Sequence, residues 1–289
     1  MSLIHLANNY KTDKGTKTGS KTGFAAAYEH LFKDIKNEKI KMLEIGLNNG
    51  GPEHGSQRFS RIIQDCPSIR MWHDYFQNGD IWGFDINDLD PSLLLKLDRF
   101  RFSKGDQGSS ENLNNLVKDI KKHYGDNYLF DLVIDDGSHA FYHQQKTFSI
   151  LSEIVRPGGY YVIEDIQWQP NQNIGGAKAG GVAPFDVKSL PATVNTGKLV
   201  SQLLCEISED QKYLKFISNK KINKSSLKSS QIFLFEERRP EIFTKFINEI
   251  KLYDRLNISC KSCWPEIFKL GNCNGQDAIF LKKKEQNAI

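Results

Sequence analysis

The chain has 289 residues, 39% hydrophobic and 26% charged with a net charge of +4, which is enough apolar surface for one large domain with appendages. No apolar run is long enough to cross a bilayer, and Leu3-Ile-His-Leu6 is too short for the core of a secretion signal. The positive excess is small and dispersed, so these features predict a cytoplasmic protein with neither a membrane nor a nucleic-acid partner.

The apolar spacing of Phe24, Tyr28, Leu31, Phe32 and Ile35 predicts an amphipathic helix over 23–36. A buried strand follows at 40–46. Phe59, Ile62, Ile63 and Cys66 mark a second helix, and 81–86 a second strand that ends near Asp85. A short strand at 100–102 runs into Gly105-Asp-Gln-Gly108. A helical stripe of Leu113, Leu116, Val117, Ile120 and Tyr124 comes next, with Ser109 or Ser110 as N-cap. The strand ending at Asp136 leads to a helix through Phe148, Leu151, Ile154 and Val155. A Pro157-Gly158-Gly159 turn then precedes the strand that ends at Asp165.

This β-α-β alternation predicts an α/β fold, a Rossmann-like, doubly wound and mostly parallel sheet. Residues 167–197 are rich in Gly, Pro, Asn and Gln and read as a substrate-covering loop. Beyond them, a helix at 199–207, strands at 213–217 and 231–236, a helix through Phe243, Phe246, Ile247, Ile250 and Tyr253, and a last strand at 278–281 are expected. The domain reading is an N-terminal covering segment at 1–36, the main domain at 37–236 and a C-terminal extension at 237–289.

Two strand ends carry the chemistry. Phe130-Asp-Leu-Val-Ile-Asp-Asp-Gly-Ser-His139 and Tyr160-Tyr-Val-Ile-Glu-Asp165 are apolar runs that stop abruptly at carboxylates. As neighbouring parallel strands they place both acid clusters at the carboxyl edge of the sheet, where ligands bind in open α/β folds. Asp136, Glu164 and Asp165 can then converge on one hard cation, with His139 beside it as a base. Glu44-Ile-Gly46-Leu-Asn48 is a strand–turn where glycine permits close backbone approach. Asp85 and Asp106, after the next two strands, suit the hydroxyls of a ribose and an adenine amino group.

These motifs resemble the class I S-adenosylmethionine-dependent methyltransferases. More narrowly, they resemble metal-dependent sugar O-methyltransferases of the macrocin and mycinamicin type, a group that includes cephalosporin-hydroxylase-like proteins. The resemblance runs from about Tyr10 to Trp168 and rests on Tyr10-Lys-Thr-Asp-Lys-Gly15, Leu43-Glu-Ile-Gly46, Gly83-Phe-Asp-Ile86, Gly105-Asp-Gln107, Asp135-Asp-Gly-Ser-His139 and Pro157-Gly-Gly-Tyr-Tyr-Val-Ile-Glu-Asp165. It implies a seven-stranded sheet and cofactor contacts at Lys14, Glu44, Gly46, Asn48, Asp85, Asp106, Gln107 and Asp135. It also implies Mg²⁺ ligands at Asp136, Glu164 and Asp165 and a general base at His139. Asn48 stands where the family usually has glycine, no His follows the Thr-Asp-Lys-Gly segment within 16–27, and 48–57 is a Gly/Pro/His insertion.

The implied activity is Mg²⁺-dependent methylation of a sugar hydroxyl with S-adenosylmethionine. The acceptor is expected to be a nucleotide-linked sugar or a glycoside, and the Lys/Asn/Ile-rich usage points toward polysaccharide biosynthesis. A homo-oligomer is compatible with this reading. One rival is a non-haem iron hydroxylase, which has no need of an adenosine pocket. Another is an RNA methyltransferase, prompted by Lys220-Lys-Ile-Asn-Lys224 and Lys282-Lys-Lys284, although neither run is interleaved with stacking aromatics. Cys260-Lys-Ser-Cys263 with Cys273 lacks a fourth zinc ligand, and the five cysteines read as reduced thiols.

Overall fold

The computed structural model describes residues 1–17, 23–47, 62–139, 141–165, 245, 248–256 and 278–285. Asn48, the 167–197 loop, the elements expected at 199–207, 213–217 and 231–236, and Cys205, Cys260, Cys263 and Cys273 lie outside these residues.

Apolar alternation builds the sheet. In β1 (Lys41–Ile45), β6 (Phe130–Asp135) and β7 (Val155–Ile163), successive side chains point to opposite faces. Leu43, Ile45, Val133, Tyr161 and Ile163 enter one core, and Met42, Leu132, Ile134 and Val162 the other. The first core is covered by α5 (Ser110–Tyr124) and α6 (Phe141–Leu151). The second is covered by α1 (Leu3–Tyr10), α2 (Phe24–Phe32), α3 (Pro67–Tyr75) and α4 (Pro91–Lys96). Both faces are dry, as a doubly wound sheet requires.

With β3 (Asp80–Asp85), β5 (Phe100–Lys104), β8 (Tyr253–Leu256) and β9 (Ile279–Lys283), the described residues form a sheet of seven strands in the order β5-β3-β1-β6-β7-β9-β8. The first five pair in parallel. Because β9 is antiparallel to both β7 and β8, it alone runs against the rest. The switch point of the order falls at β1 and β6, and their carboxyl ends carry Gly46 and Asp136. Two strands of this one sheet, β8 and β9, come from within 237–289.

Four local expectations are corrected. Ile62–Ile63 is a two-residue strand, β2, paired with Asp88–Leu89 (β4), and the helix begins only at Pro67. Proline suits the first helical position, where its missing N–H costs nothing, and it disfavours helix in the residue before it. Val155 opens β7 and does not close α6, since a 3-10 turn at Ser152–Ile154 already ends the helical run. Pro157-Gly158-Gly159 is no turn between elements but an irregularity inside β7, where the register slips between Phe130 and Leu132 and Gly158 takes a φ of 72°. Tyr253 lies in β8, not in a helix.

Candidate active site

Strand parity decides where each acid goes. Glu44, Asp136 and Glu164 share the parity of Met42, Ile134 and Val162, so they point toward the N-terminal helices. Asp135 has the parity of Val133 and points the other way, toward the loop before α5. The adjacent Asp135 and Asp136 therefore serve two different environments.

On the N-terminal side, the acids meet around one cation. Lys14 Nζ lies 2.6 Å from Asp136 Oδ2, 2.7 Å from Glu164 Oε2 and 3.6 Å from Glu44 Oε1. Lys14 is 1% exposed. Burial by itself lowers its pKa, but Asp136, Glu164 and Glu44 outweigh that and hold the ammonium well above the ordinary lysine range. Tyr28 donates its hydroxyl to Glu164 Oε1 at 2.5 Å, and Ser68 donates to Glu44 Oε2 at 2.9 Å. Burial pushes Glu44 up to about 7 against the pull of Lys14. Glu164 is raised well above the usual carboxylate range by burial and then by Asp136.

Asp136 also faces the open edge, its side chain 16% exposed. One oxygen each of Asp136 and Asp165 and one ring nitrogen of His139 lie within 4.8 Å of one another. His139 Nε2 is 3.5 Å from Asp165 Oδ2. Both residues have left-handed backbones, with φ of 60° and 51°, a strained conformation for side-chain-bearing residues that is concentrated at functional sites. Two carboxylates at a partly exposed edge suit a hard, oxygen-seeking cation such as Mg²⁺. Glu164, expected in the same ligand set, is hydrogen-bonded by Lys14 and Tyr28 behind Asp136.

On the other side, Asp135 Oδ1 accepts from Gln107 Nε2 at 2.6 Å and from the Gly137 amide at 3.3 Å. Gln107 Oε1 in turn accepts from the Ser138 amide at 2.8 Å. Burial raises Asp135 to about 7, opposed by the Gly137 and Gln107 donors. His143 Nδ1 meets Ser138 Oγ at 2.7 Å, so a second histidine props the loop that carries His139. Burial lowers His143 to about 4.

The remaining predicted cofactor residues that the structure describes ring the same edge. A Cβ at Gly46, whose φ is +82°, would lie 2.1 Å from the Asp136 carbonyl oxygen, so only glycine lets β1 turn this close to β6. Asp85 is buried, with Oδ2 accepting from the Leu47 amide at 2.8 Å and Oδ1 from the Asn87 amide at 2.8 Å. It thereby ties the turn after β1 to the end of β3. Asp106 Oδ1 accepts from the Gly108 amide at 2.7 Å on the exposed rim, one turn before α5. Lys14, expected at the cofactor, has its ammonium on the acids. Tyr28, Ser68 and Ser138 were not read from the sequence as site residues. Tyr28 was legible only as a member of an apolar stripe, and nothing local marks its hydroxyl.

No family model matches the chain. Over 164 residues it is 38% identical to mycinamicin VI 2''-O-methyltransferase of Micromonospora griseorubida, which covers 57% of this chain and 36% of that enzyme. Over 164 residues it is 37% identical to demethylmacrocin O-methyltransferase of Streptomyces fradiae, with 57% and 36% covered. Both relatives are named as O-methyltransferases. The chain spans little more than a third of the length of these curated relatives.

Among solved structures, the MycE methyltransferase of the mycinamycin biosynthetic pathway, in complex with Mg and SAH, matches with a TM-score of 0.56 at 23% identity, covering 100% of this chain and 56% of that one. The complex of MycE with Mg, SAH and mycinamycin VI matches at 0.55 and 24% identity, again over 100% of this chain and 56% of that one. The fold is that of a methyltransferase.

Proposed function

We propose that this chain is an S-adenosylmethionine-dependent, Mg²⁺-dependent O-methyltransferase acting on a sugar hydroxyl, with His139 as general base. The observation that carries the reading is the convergence of Asp136, His139 and Asp165 at the carboxyl edge of a methyltransferase sheet. The sequence relatives, named as O-methyltransferases of macrolide and tetracenomycin sugars, support the acceptor class.

In this reading, Asp136 and Asp165 offer oxygen donors to the cation, with Glu164 behind them. A bound divalent cation lowers the pKa of a hydroxyl and orients neighbouring oxygens. The cofactor supplies an electrophilic methyl group, and transfer is an in-line displacement that depends on alignment. Gly46, Asp85, Asp106, Gln107 and Asp135 line the cofactor's side of the edge. His139 takes the hydroxyl proton, and Asp165 at 3.5 Å balances the imidazolium that forms. The acceptor is a glycoside or a nucleotide-linked sugar that presents two neighbouring oxygens. The rival iron reading has less support, because among the described residues the cluster offers one imidazole and two carboxylates where an iron oxygenase uses two imidazoles and one carboxylate.

The test is calorimetric titration of metal-stripped protein with S-adenosylmethionine and S-adenosylhomocysteine, each with and without Mg²⁺. Micromolar binding, followed by methyl transfer to a glycoside or nucleotide-sugar panel only when Mg²⁺ is present, is the expected result. No binding of either compound under any condition discards the proposal.

A further inference from the structure

Lys14 is the most deeply buried cation in the described site, 1% exposed, and it sits where positive charge is in demand. Its ammonium touches two of the three carboxylates expected to hold the cation, Asp136 at 2.6 Å and Glu164 at 2.7 Å, and lies 3.6 Å from Glu44. Three carboxylates in a buried space repel one another strongly, and so close a group is tolerated only with a counter-charge. Lys14 supplies one unit of it, held by the chain itself. A divalent ion brought to Asp136 supplies two more, and like charges this close repel by an amount set by a low effective dielectric.

The segment that carries Lys14 is anchored independently of its ammonium. Ala25 N–H donates to the Lys14 carbonyl at 2.9 Å, the Thr16 amide donates to Asn8 Oδ1 at 2.9 Å, and the Thr12 amide donates to the Ala7 carbonyl at 3.1 Å. The backbone is therefore held by contacts that do not involve the ammonium.

We propose that Lys14 is an internal counter-cation that competes with the divalent ion for Asp136 and Glu164, and so sets the ion affinity of the site. This rests on the metal reading above. Lys14 is a positioning residue here: it holds Glu164 back from the ion in the metal-free protein and yields it when the ion arrives.

The experiment is calorimetric titration of the full chain with MgCl₂, without cofactor, on the native protein and on Lys14→Met and Lys14→Arg. Lys14→Met is expected to bind Mg²⁺ at least about tenfold more tightly than the native protein, and Lys14→Arg to stay close to native, because it keeps the charge. Equal or weaker binding by a folded Lys14→Met overturns this inference alone. No binding by any of the three overturns the metal reading beneath it. Should the variants not fold, amine-directed labelling of native Lys14 decides the matter. Labelling is expected to rise severalfold at saturating Mg²⁺, and labelling that stays flat while Mg²⁺ binds overturns the competition.

Discussion

Gln107 donates to Asp135 Oδ1 at 2.6 Å and, through its other amide atom, fixes the Ser138 backbone at 2.8 Å. One side chain thus joins the strand end to the loop that presents His139. A Cβ on Gly137 would come within 2.3 Å of Gln107 Oε1, so the bridge also requires glycine there. Asp135 Oδ2 has no hydrogen-bond partner among the described residues, which makes the Gln107 contact costly to lose. Gln107→Leu is expected to destabilise the protein by about 1–3 kcal/mol, the range for leaving a buried polar group unsatisfied. Urea denaturation with an unchanged slope checks it, and native stability would remove Gln107 from this role.

His139 and Asp165 allow binding and chemistry to be separated. His139→Ala is expected to keep the affinity for S-adenosylhomocysteine and to lower turnover by roughly 10²–10⁴-fold, because a base acts in the transition state. Asp165→Asn removes one charged donor from the cluster of three and is expected to raise the Mg²⁺ concentration needed for half-maximal stabilisation at least about tenfold. Thermal melts across a Mg²⁺ series report this without any acceptor in hand. A melting curve identical to native at every concentration would take Asp165 out of the ion site.

The acid-tipped strands were legible because an apolar run that stops at carboxylates has few other uses, and chain order alone put Asp85, Asp106, Asp136 and Asp165 on one edge. Parity along β6 would also have sent Asp135 and Asp136 to opposite faces. The Lys14 contacts were not legible, since they join residues 122 and 150 positions apart with no local signal. Tyr253 misled in the opposite way. Its spacing from Phe246 and Ile250 is helical, yet pairing with β9 and a 3.0 Å hydrogen bond from its hydroxyl to the Ser152 carbonyl make it a strand residue. Tertiary pairing overrode a weak local preference.

His143 gives a pH signature. Its ring is buried, 6% exposed, and burial holds its pKa at about 4 against the ordinary 6.5. The acidic Asp106 nearby pulls upward and Lys146 pushes further down. With the folded value below the unfolded one, its contribution is complete above pH 6.5 and is lost as pH falls toward 4. The loss approaches about 3 kcal/mol, from 2.5 units at roughly 1.36 kcal/mol each. Native protein should therefore lose stability relative to His143→Gln across that window, measured by denaturation at a series of pH values. Parallel curves would mean that His143 charges without penalty.

Arg99 tests a contact that belongs to the fold. From the turn before β5 its guanidinium donates to the carbonyls of Phe76 at 2.6 Å, Gly79 at 2.9 Å and His73 at 2.7 Å. These are the end of α3 and the turn into β3, where helix carbonyls lack partners and the helix dipole is negative. Three charge-assisted bonds at one half-buried group outrank an exposed ion pair such as Arg70 with Asp65. Arg99→Met, which keeps the apolar stem, is expected to cost about 2 kcal/mol, and Arg70→Met at most about 0.5 kcal/mol. Lysine at 99 should recover only part of the loss, since a point charge cannot reach three carbonyls in a planar fork. Equal effects of the two methionine variants in thermal and urea unfolding would show that the α3 terminus does not depend on Arg99.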